Sequence, residues 1–525
     1  MSKMFGADTN ELRLQAVATS RGADSLRTRG QQLLGRVAEV KWIGPDADDF
    51  LRNFDTHIQR LEHLADTLNE LAREMERQAA EQDVTSESRG QMPNLSAHTG
   101  GANGPSLSAS LGNLGNLAGS ASQAAPASNG DSARDRFPGV FPPRNPPQGV
   151  SEAEARAAMN DFANEPNPRE VADMYDDYAA NDPEMLDAMA YYFPEQFGNL
   201  KGIPGHAADR ANRWALEDVI NAGGPDARSA EAIAAELGSN RAEKMQLLGL
   251  ERTRTNGPWG AQICYGDIDK ATNTSFVVPG MISDAGFSSV ESQGEACTNL
   301  RDRFIRDRNG LSSEDVAVVS YIDYDTPTHS EEPYATRAEA GARRLQDTLA
   351  GHQARHPDET NTTNVIGFSY GTTVVGEALL TGGPTYGVDN VVLQGSAGLT
   401  DNVEGFRADA PDAPNVYATD ATADRVNNFG QLATTDHPND PLKYPWVTGY
   451  SSDGQSVRVT REPMNPLVAD VYQPVDYLIR PYDEVEVPGQ RAVEGHTLGS
   501  GDQIGYMSKD SQSLNFLADK LTEQK

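Results

Sequence analysis

In the stretch "TNVIGFSYGTTVVGEALL", residues 363–380, Ser369 stands between Gly367 and Gly371, after a β-branched run and before an alanine- and valine-rich one. A serine hydroxyl is a weak nucleophile until a base takes its proton, and its oxygen must project from the backbone into a cleft. A tight strand-to-helix turn projects it. The strain of that turn requires small residues two positions before and two after the nucleophile, the positions of Gly367 and Gly371. The run "NVIGF" fits the strand, and "YGTTVVGEALL" fits a helix whose N-terminus would face a developing oxyanion.

An elbow of this kind needs an acid and a base later in the chain, in the order Ser, Asp or Glu, His. The segment "NVYATDATADRVNNFG" supplies two acids, Asp420 at a strand end and Asp424 four residues on. Among the nine histidines, His57, His63, His98 and His206 fall outside the domain, and His329, His352 and His356 precede the serine. His437 and His496 remain. His437 lies in the turn-like "TDHPNDP", whereas His496, in "VEGHTLGSGDQIGYM", lies on a glycine-rich loop before the terminal helix "QSLNFLADKL". His496 is therefore the expected base. The oxyanion would be held by the backbone N–H of Tyr370 and by one from the loop "FVVPGMISDAG", at Gly280 or Met281.

These residues need a scaffold. From 260 onward short apolar runs, "TSFVVPG", "VAVVSYIDY", "TNVIGFS", "DNVVLQGS" and "NVYATD", alternate with helix-like ones, which predicts a mainly parallel sheet covered by helices on both faces. Residues 151–258 read as helical, from "SEAEARAAMNDFA" to "AEKMQLLGLERTR", and are expected to pack on or cap the sheet. Within them His206 and Asp209 read as a helix start and a charged face. Residues 86–150 are dominated by Gly, Ser, Ala, Asn and Pro and read as a flexible tether with a stiffer proline end.

Residues 1–85 read as two helices around a turn. Phe50, Phe54, Ile58, Leu61, Leu64, Leu68, Leu71 and Met75 form one apolar face of the second helix. Leu26, Leu33, Val37 and Val40 form a weaker stripe on the first. Such a hairpin buries too little by itself and calls for a protein partner or self-association.

The chain has 525 residues, enough for two or three domains. Its 77 acidic and 44 basic side chains give a net charge of -33, which opposes nucleic acid and anionic lipid. No apolar run is long enough to span a bilayer, and the N-terminus lacks the apolar core of a Sec signal peptide. Two cysteines, Cys264 and Cys297, are too few for a zinc site, and their spacing leaves open whether they pair. No metal or cofactor is expected.

Two resemblances add to this reading. With Trp42, Ile43 and Gly44 in its turn, the N-terminal hairpin resembles the WXG-type hairpins of type VII secretion. That implies export by this route as an alternative to a cytoplasmic location. The export element of that family, Tyr-x-x-x-Asp/Glu just after the second helix, is missing there; "YAAND", Tyr178 to Asp182, fits the pattern further along. Residues 195–520 are similar to an actinobacterial α/β-hydrolase family known as a domain of unknown function. The likeness rests on the elbow, on "DNVVLQGSAG", "VYATDATAD" and "HPNDP", on the base loop, and on the upstream "GNLKGIPGHAADRANRWAL". It implies an α/β-hydrolase fold over 259–525 and, position by position, a triad of Ser369, Asp424 and His496. Phe368 stands where that family has histidine, and Thr497 where it has serine. The expected activity is that of a serine hydrolase of the carboxylesterase or lipase kind, acting on a small-molecule or lipid-like acyl substrate. The alternatives are a secretion-associated scaffold with a non-catalytic hydrolase fold and a secreted phospholipase effector.

Overall fold

The computed structural model describes residues 132–523 except 225–226, 254–256, 282–286, 307–309, 328–334, 358–359, 425–435, 461–481, 488–489 and 500–502; before residue 132 it describes only Ser20, Arg27, Arg73 and Arg77. The expected N-terminal hairpin, its Trp42–Gly44 turn and the tether up to residue 131 lie outside the described residues.

The C-terminal half is built on an eight-stranded sheet of order β1-β2-β4-β3-β5-β6-β7-β8. Its strands are β1 (Met245–Arg252), β2 (Trp259–Tyr265), β3 (Asn273–Val278), β4 (Val316–Ile322), β5 (Thr362–Phe368), β6 (Asn390–Gln394), β7 (Asn415–Thr419) and β8 (Val447–Gly449). Strands β1, β2 and β4 pair antiparallel, and every pairing from β4 through β3 to β8 is parallel. Strands β3, β4, β5 and β6 are buried at every residue, as parallel strands covered on both faces must be. At their N-terminal ends a ladder of amides ties the sheet together: Asn415 donates to Asn390, Asn390 to Asn364, and Asn364 to Asn273. Asn273 in turn donates to the Leu521 carbonyl in the last helix.

One face of the sheet packs against α1 (Phe287–Arg306) and α2 (Gln512–Leu521) through Val290, Leu300, Phe304, Leu514 and Leu517. The other packs against α3 (Ala335–Arg355) and α4 (Tyr370–Leu379) through Leu345, Leu349, Val374 and Val375. Cys297 belongs to the first core and Cys264 to the second, so the sheet separates the two thiols. Both are free and buried.

Residues 152–222 are helical, with their own core around Met159, Phe162, Leu186, Met189, Phe197 and Trp214. They seat on the antiparallel edge of the sheet. Asn212 donates to the Leu247 carbonyl at 3.1 Å, Asn199 donates to the Leu250 carbonyl at 2.9 Å, and Arg355 on α3 pairs with Asp176 at 2.9 Å.

Two boundaries differ from the sequence reading. The helical segment does not run to 258: "MQLLGLER" is strand β1, paired antiparallel with β2 with one register shift between Leu247 and Gly249. Its Met, Gln, Leu and Glu favour helix weakly, and pairing at a sheet edge overrides that preference. The tether does not run to 150 either. Ser132 caps a short helix, Ala133–Arg136, and the strap that follows buries Val140 and Phe141. Arg134 meets Glu217 at 2.6 Å, and Arg213 donates to the Val140 carbonyl at 2.8 Å, both from the helix Gly205–Ala222. Apolar side chains among the prolines supply what the Gly/Ser-rich stretch before them lacks.

Candidate active site

Strand β5 ends at Phe368 and helix α4 begins at Tyr370, so Ser369 alone makes the turn. It does so with φ 54° and ψ -126°, a left-handed conformation that costs a side-chain-bearing residue about 1–3 kcal/mol. The chain pays this because the neighbours leave no other path. A Cβ at Gly367 would lie 2.8 Å from the Gly371 carbonyl oxygen, and one at Gly371 would lie 2.3 Å from that of Val278. Hydrogen bonds lock the turn from below: Ser369 N–H donates to the Gln394 carbonyl at 3.0 Å, and Thr372 Oγ1 donates to the Ser369 carbonyl at 2.7 Å.

The loop after β3 passes directly over the serine. A Cβ at Gly280 would fall 2.6 Å from Ser369 Cβ and 2.9 Å from Oγ. The Tyr324 hydroxyl holds this loop by donating to the Pro279 carbonyl at 2.5 Å. Met281 is half-buried at the end of the described part of the loop. Tyr370, at the start of α4, has a fully buried side chain whose phenol is pushed well up in pKa by desolvation. The first N–H groups of a helix lack partners within it, so this terminus is suited to an anion.

Asp424 and His496, 72 residues apart, meet: His496 Nδ1 lies 2.8 Å from Asp424 Oδ2. Asp424 is 2% exposed. Because a carboxylate accepts, Nδ1 carries the proton of this contact, and a neutral ring then presents its lone pair at Nε2. That Nε2 is buried and makes no hydrogen bond among the described residues. The imidazole packs against Phe368, the residue before Ser369, with ring centroids 4.7 Å apart and the planes tilted by 32°. Ser369 and His496 Nε2 are thus not hydrogen-bonded in this structure; contacts of this kind commonly tighten only when substrate is present.

The other candidates hydrogen-bond to other partners. Asp420, also at the end of β7, accepts from Ser396 N–H at 3.1 Å, and burial pushes its pKa up to about 6. His437 is fully buried behind the elbow, with Nδ1 2.8 Å from the Ala397 carbonyl oxygen and its ring against Tyr370. His206 stands at a helix start as expected, where Asp269 accepts from the N–H groups of Gly205 and His206. Asp209 pairs with Arg213 at 2.6 Å.

One residue of the site escapes the sequence. The Tyr506 hydroxyl donates to Asp424 Oδ2 at 2.9 Å and accepts from Ala421 N–H at 3.1 Å. Nothing in "IGYM" marks it; only its position ten residues after His496, on the same loop system, would direct attention there. Among the described residues, no group of three or more His, Cys, Asp or Glu is arranged to hold a metal ion, and no helix is long and apolar enough to cross a membrane.

Residues 256–434 match a family model described as Alpha/beta hydrolase. The chain is also similar to uncharacterized proteins of two Mycobacterium tuberculosis strains, CDC 1551 and H37Rv, each 25% identical over 279 residues, which is 46% of this chain and 41% of the relative. The chain thus spans about two fifths of the length of the curated relatives it matches. The strand order and the family match together give this part of the chain an α/β-hydrolase fold.

Proposed function

We propose that this chain is a serine hydrolase that cleaves an ester or similar acyl bond through Ser369, Asp424 and His496. His496 takes the Ser369 proton as the hydroxyl attacks the acyl carbon, and Asp424 fixes the ring tautomer and steadies the imidazolium. The N–H groups of Tyr370 and of Gly280 or Met281 receive the oxyanion. The leaving alcohol takes the proton from His496, and water then resolves the acyl-enzyme by the same steps in reverse order.

The observation that carries this reading is the 2.8 Å contact between His496 Nδ1 and Asp424, with the buried Nε2 making no hydrogen bond among the described residues and the ring lying against Phe368 of the elbow. A buried ring nitrogen without a partner calls for an explanation, and a role as general base supplies one. The test is labelling by a fluorophosphonate, which reacts with an activated serine. The wild-type chain should label and Ser369→Ala should not. Labelling that persists in Ser369→Ala, or is absent from the wild type, overturns the reading in favour of a scaffold. Esters of graded acyl length, compared with phospholipid and peptide substrates, then define the substrate class.

A further inference from the structure

We infer that Tyr506 is a positioning residue of this site, whose hydroxyl holds the Asp424 carboxylate in place for His496. The inference rests on the triad proposed above. A phenol oxygen has one proton to give. At Tyr506 the Ala421 N–H already points at that oxygen from 3.1 Å, so the phenol serves there as acceptor and its own proton is directed to Asp424, 2.9 Å away. The result is a closed arrangement. Ala421 and Asp424 lie on the turn after β7, itself closed by Asp424 N–H donating to the Ala421 carbonyl at 2.9 Å. One hydroxyl therefore fixes both the backbone of that turn and its carboxylate.

Tyr506 also reaches the base by a second route. Its N–H donates to the Thr497 carbonyl at 3.0 Å, and Glu494 N–H donates to the Ile504 carbonyl at 2.8 Å, so the segment 504–507 is laced to both sides of His496. The rings of Tyr506 and His496 both contact Phe368, at centroid distances of 5.9 and 4.7 Å. Tyr506 is fully buried, and Asp424 Oδ2 receives both its proton and that of His496. The same phenol thus couples the acid, the loop that carries the base, and the residue preceding the nucleophile. Among the described residues, titratable groups facing this carboxylate include His496, Tyr506 itself and, from the end of β7, Asp420.

The test compares Tyr506→Phe with the wild type in the rate of fluorophosphonate labelling as a function of pH, with melting temperature recorded for each. Loss of one hydrogen bond to a buried carboxylate should slow labelling about tenfold. It should also move the acid limb of the profile to higher pH, because a carboxylate relieved of one donor gives more of its charge to the imidazolium. A merely structural tyrosine would lower the melting temperature without moving that limb. Should Tyr506→Phe not fold, 3-fluorotyrosine in place of Tyr506 keeps the size and strengthens the donor, and the limb should then move to lower pH. An unmoved limb in the folded variant, or in the fluorinated chain, overturns the assignment while leaving Ser369 labelling intact. Labelling that survives Ser369→Ala overturns the triad instead.

Discussion

His496 and Asp424 form a 2.8 Å contact in which the acid is almost wholly buried, while Asp420, four residues earlier on the same turn, faces Ser396 instead. The two carboxylates should therefore behave differently when neutralised. Asp424→Asn presents an amide where the ring needs an acceptor, and the labelling rate should fall on the order of 10³ to 10⁴-fold. Asp420→Asn keeps a carbonyl for Ser396 N–H and should label at a rate close to wild type. Equal losses in the two variants would contradict the assignment of the acid.

Asp420 carries a different consequence, in stability. Burial raises its pKa from 3.8 to about 6 in the folded chain, with Asp440 and Asp424 adding to the effect and the Ser396 N–H opposing it. Between these values the folded state holds a proton that the unfolded state has released, so folding is favoured most below about pH 4 and loses this contribution as pH rises through 6. The loss is about 3 kcal/mol by the usual conversion. Asp420→Asn is neutral throughout, so its melting temperature should exceed that of the wild type by a few degrees at pH 7.5 and match it near pH 4. A difference that is the same at both pH values would refute this account.

Asp269 has the opposite sign. Desolvation raises its pKa, but the hydrogen bonds from His206 and Gly205 outweigh that and hold it down at about 2, against an ordinary 3.8. Its contribution is present above about pH 4 and is lost as pH falls through 2. Asp269 caps the helix Gly205–Ala222 from outside, since Pro204 offers no side-chain cap. Asp269→Ala should lower the melting temperature at neutral pH, by the equivalent of about 1 kcal/mol for a lost cap, and leave fluorophosphonate labelling unchanged. Loss of labelling without loss of stability would give His206 and Asp269 a part in the chemistry after all.

What the sequence carried depended on whether a residue's role is local. Ser369, Gly367 and Gly371 could be read because the turn imposes its demands within five residues. Strands β3 to β7 could be read because burial on both faces leaves continuous apolar runs. Strand β1 could not, because its helix-forming residues are overruled by pairing with β2, which no local pattern encodes. The docked strap around Phe141 and the hydroxyl of Tyr506 were hidden for the same reason. Their partners, Glu217 and Asp424, stand 83 and 82 residues away from the strap's Arg134 and from Tyr506. The choice of Asp424 over Asp420 came from resemblance, since two acids one helical turn apart at a strand end are equivalent by spacing.

The buried thiols give a test of the sheet itself. Cys264 and Cys297 lie in cores on opposite faces, and burial pushes both thiols far up in pKa, so neither supplies a thiolate at neutral pH. A thiol reagent should add nothing to the native chain and two equivalents after unfolding, without prior reduction. Two equivalents that appear only after reduction would mean the cysteines are paired, which the layer order of this sheet forbids.

Gly280 gives the most local test of the site. Its missing side chain is where Ser369 needs room: a Cβ there would sit 2.6 Å from the serine Cβ and 3.2 Å from the Phe368 carbonyl oxygen, atoms fixed by the elbow and the strand. Since Tyr324 pins the loop at Pro279, the strain of Gly280→Ala must be relieved by moving the loop's N–H groups away from the nucleophile. A displacement of about 1 Å at a reacting centre costs on the order of 10²-fold in rate, as does the loss of one oxyanion donor. Gly280→Ala should therefore fold, with a modest drop in melting temperature, and label at least about a hundredfold more slowly. Gly383→Ala is the control, because a Cβ there meets nothing closer than Thr381 Oγ1 at 3.9 Å. If Gly280→Ala labelled as fast as Gly383→Ala, the loop after β3 would have no part in holding the oxyanion.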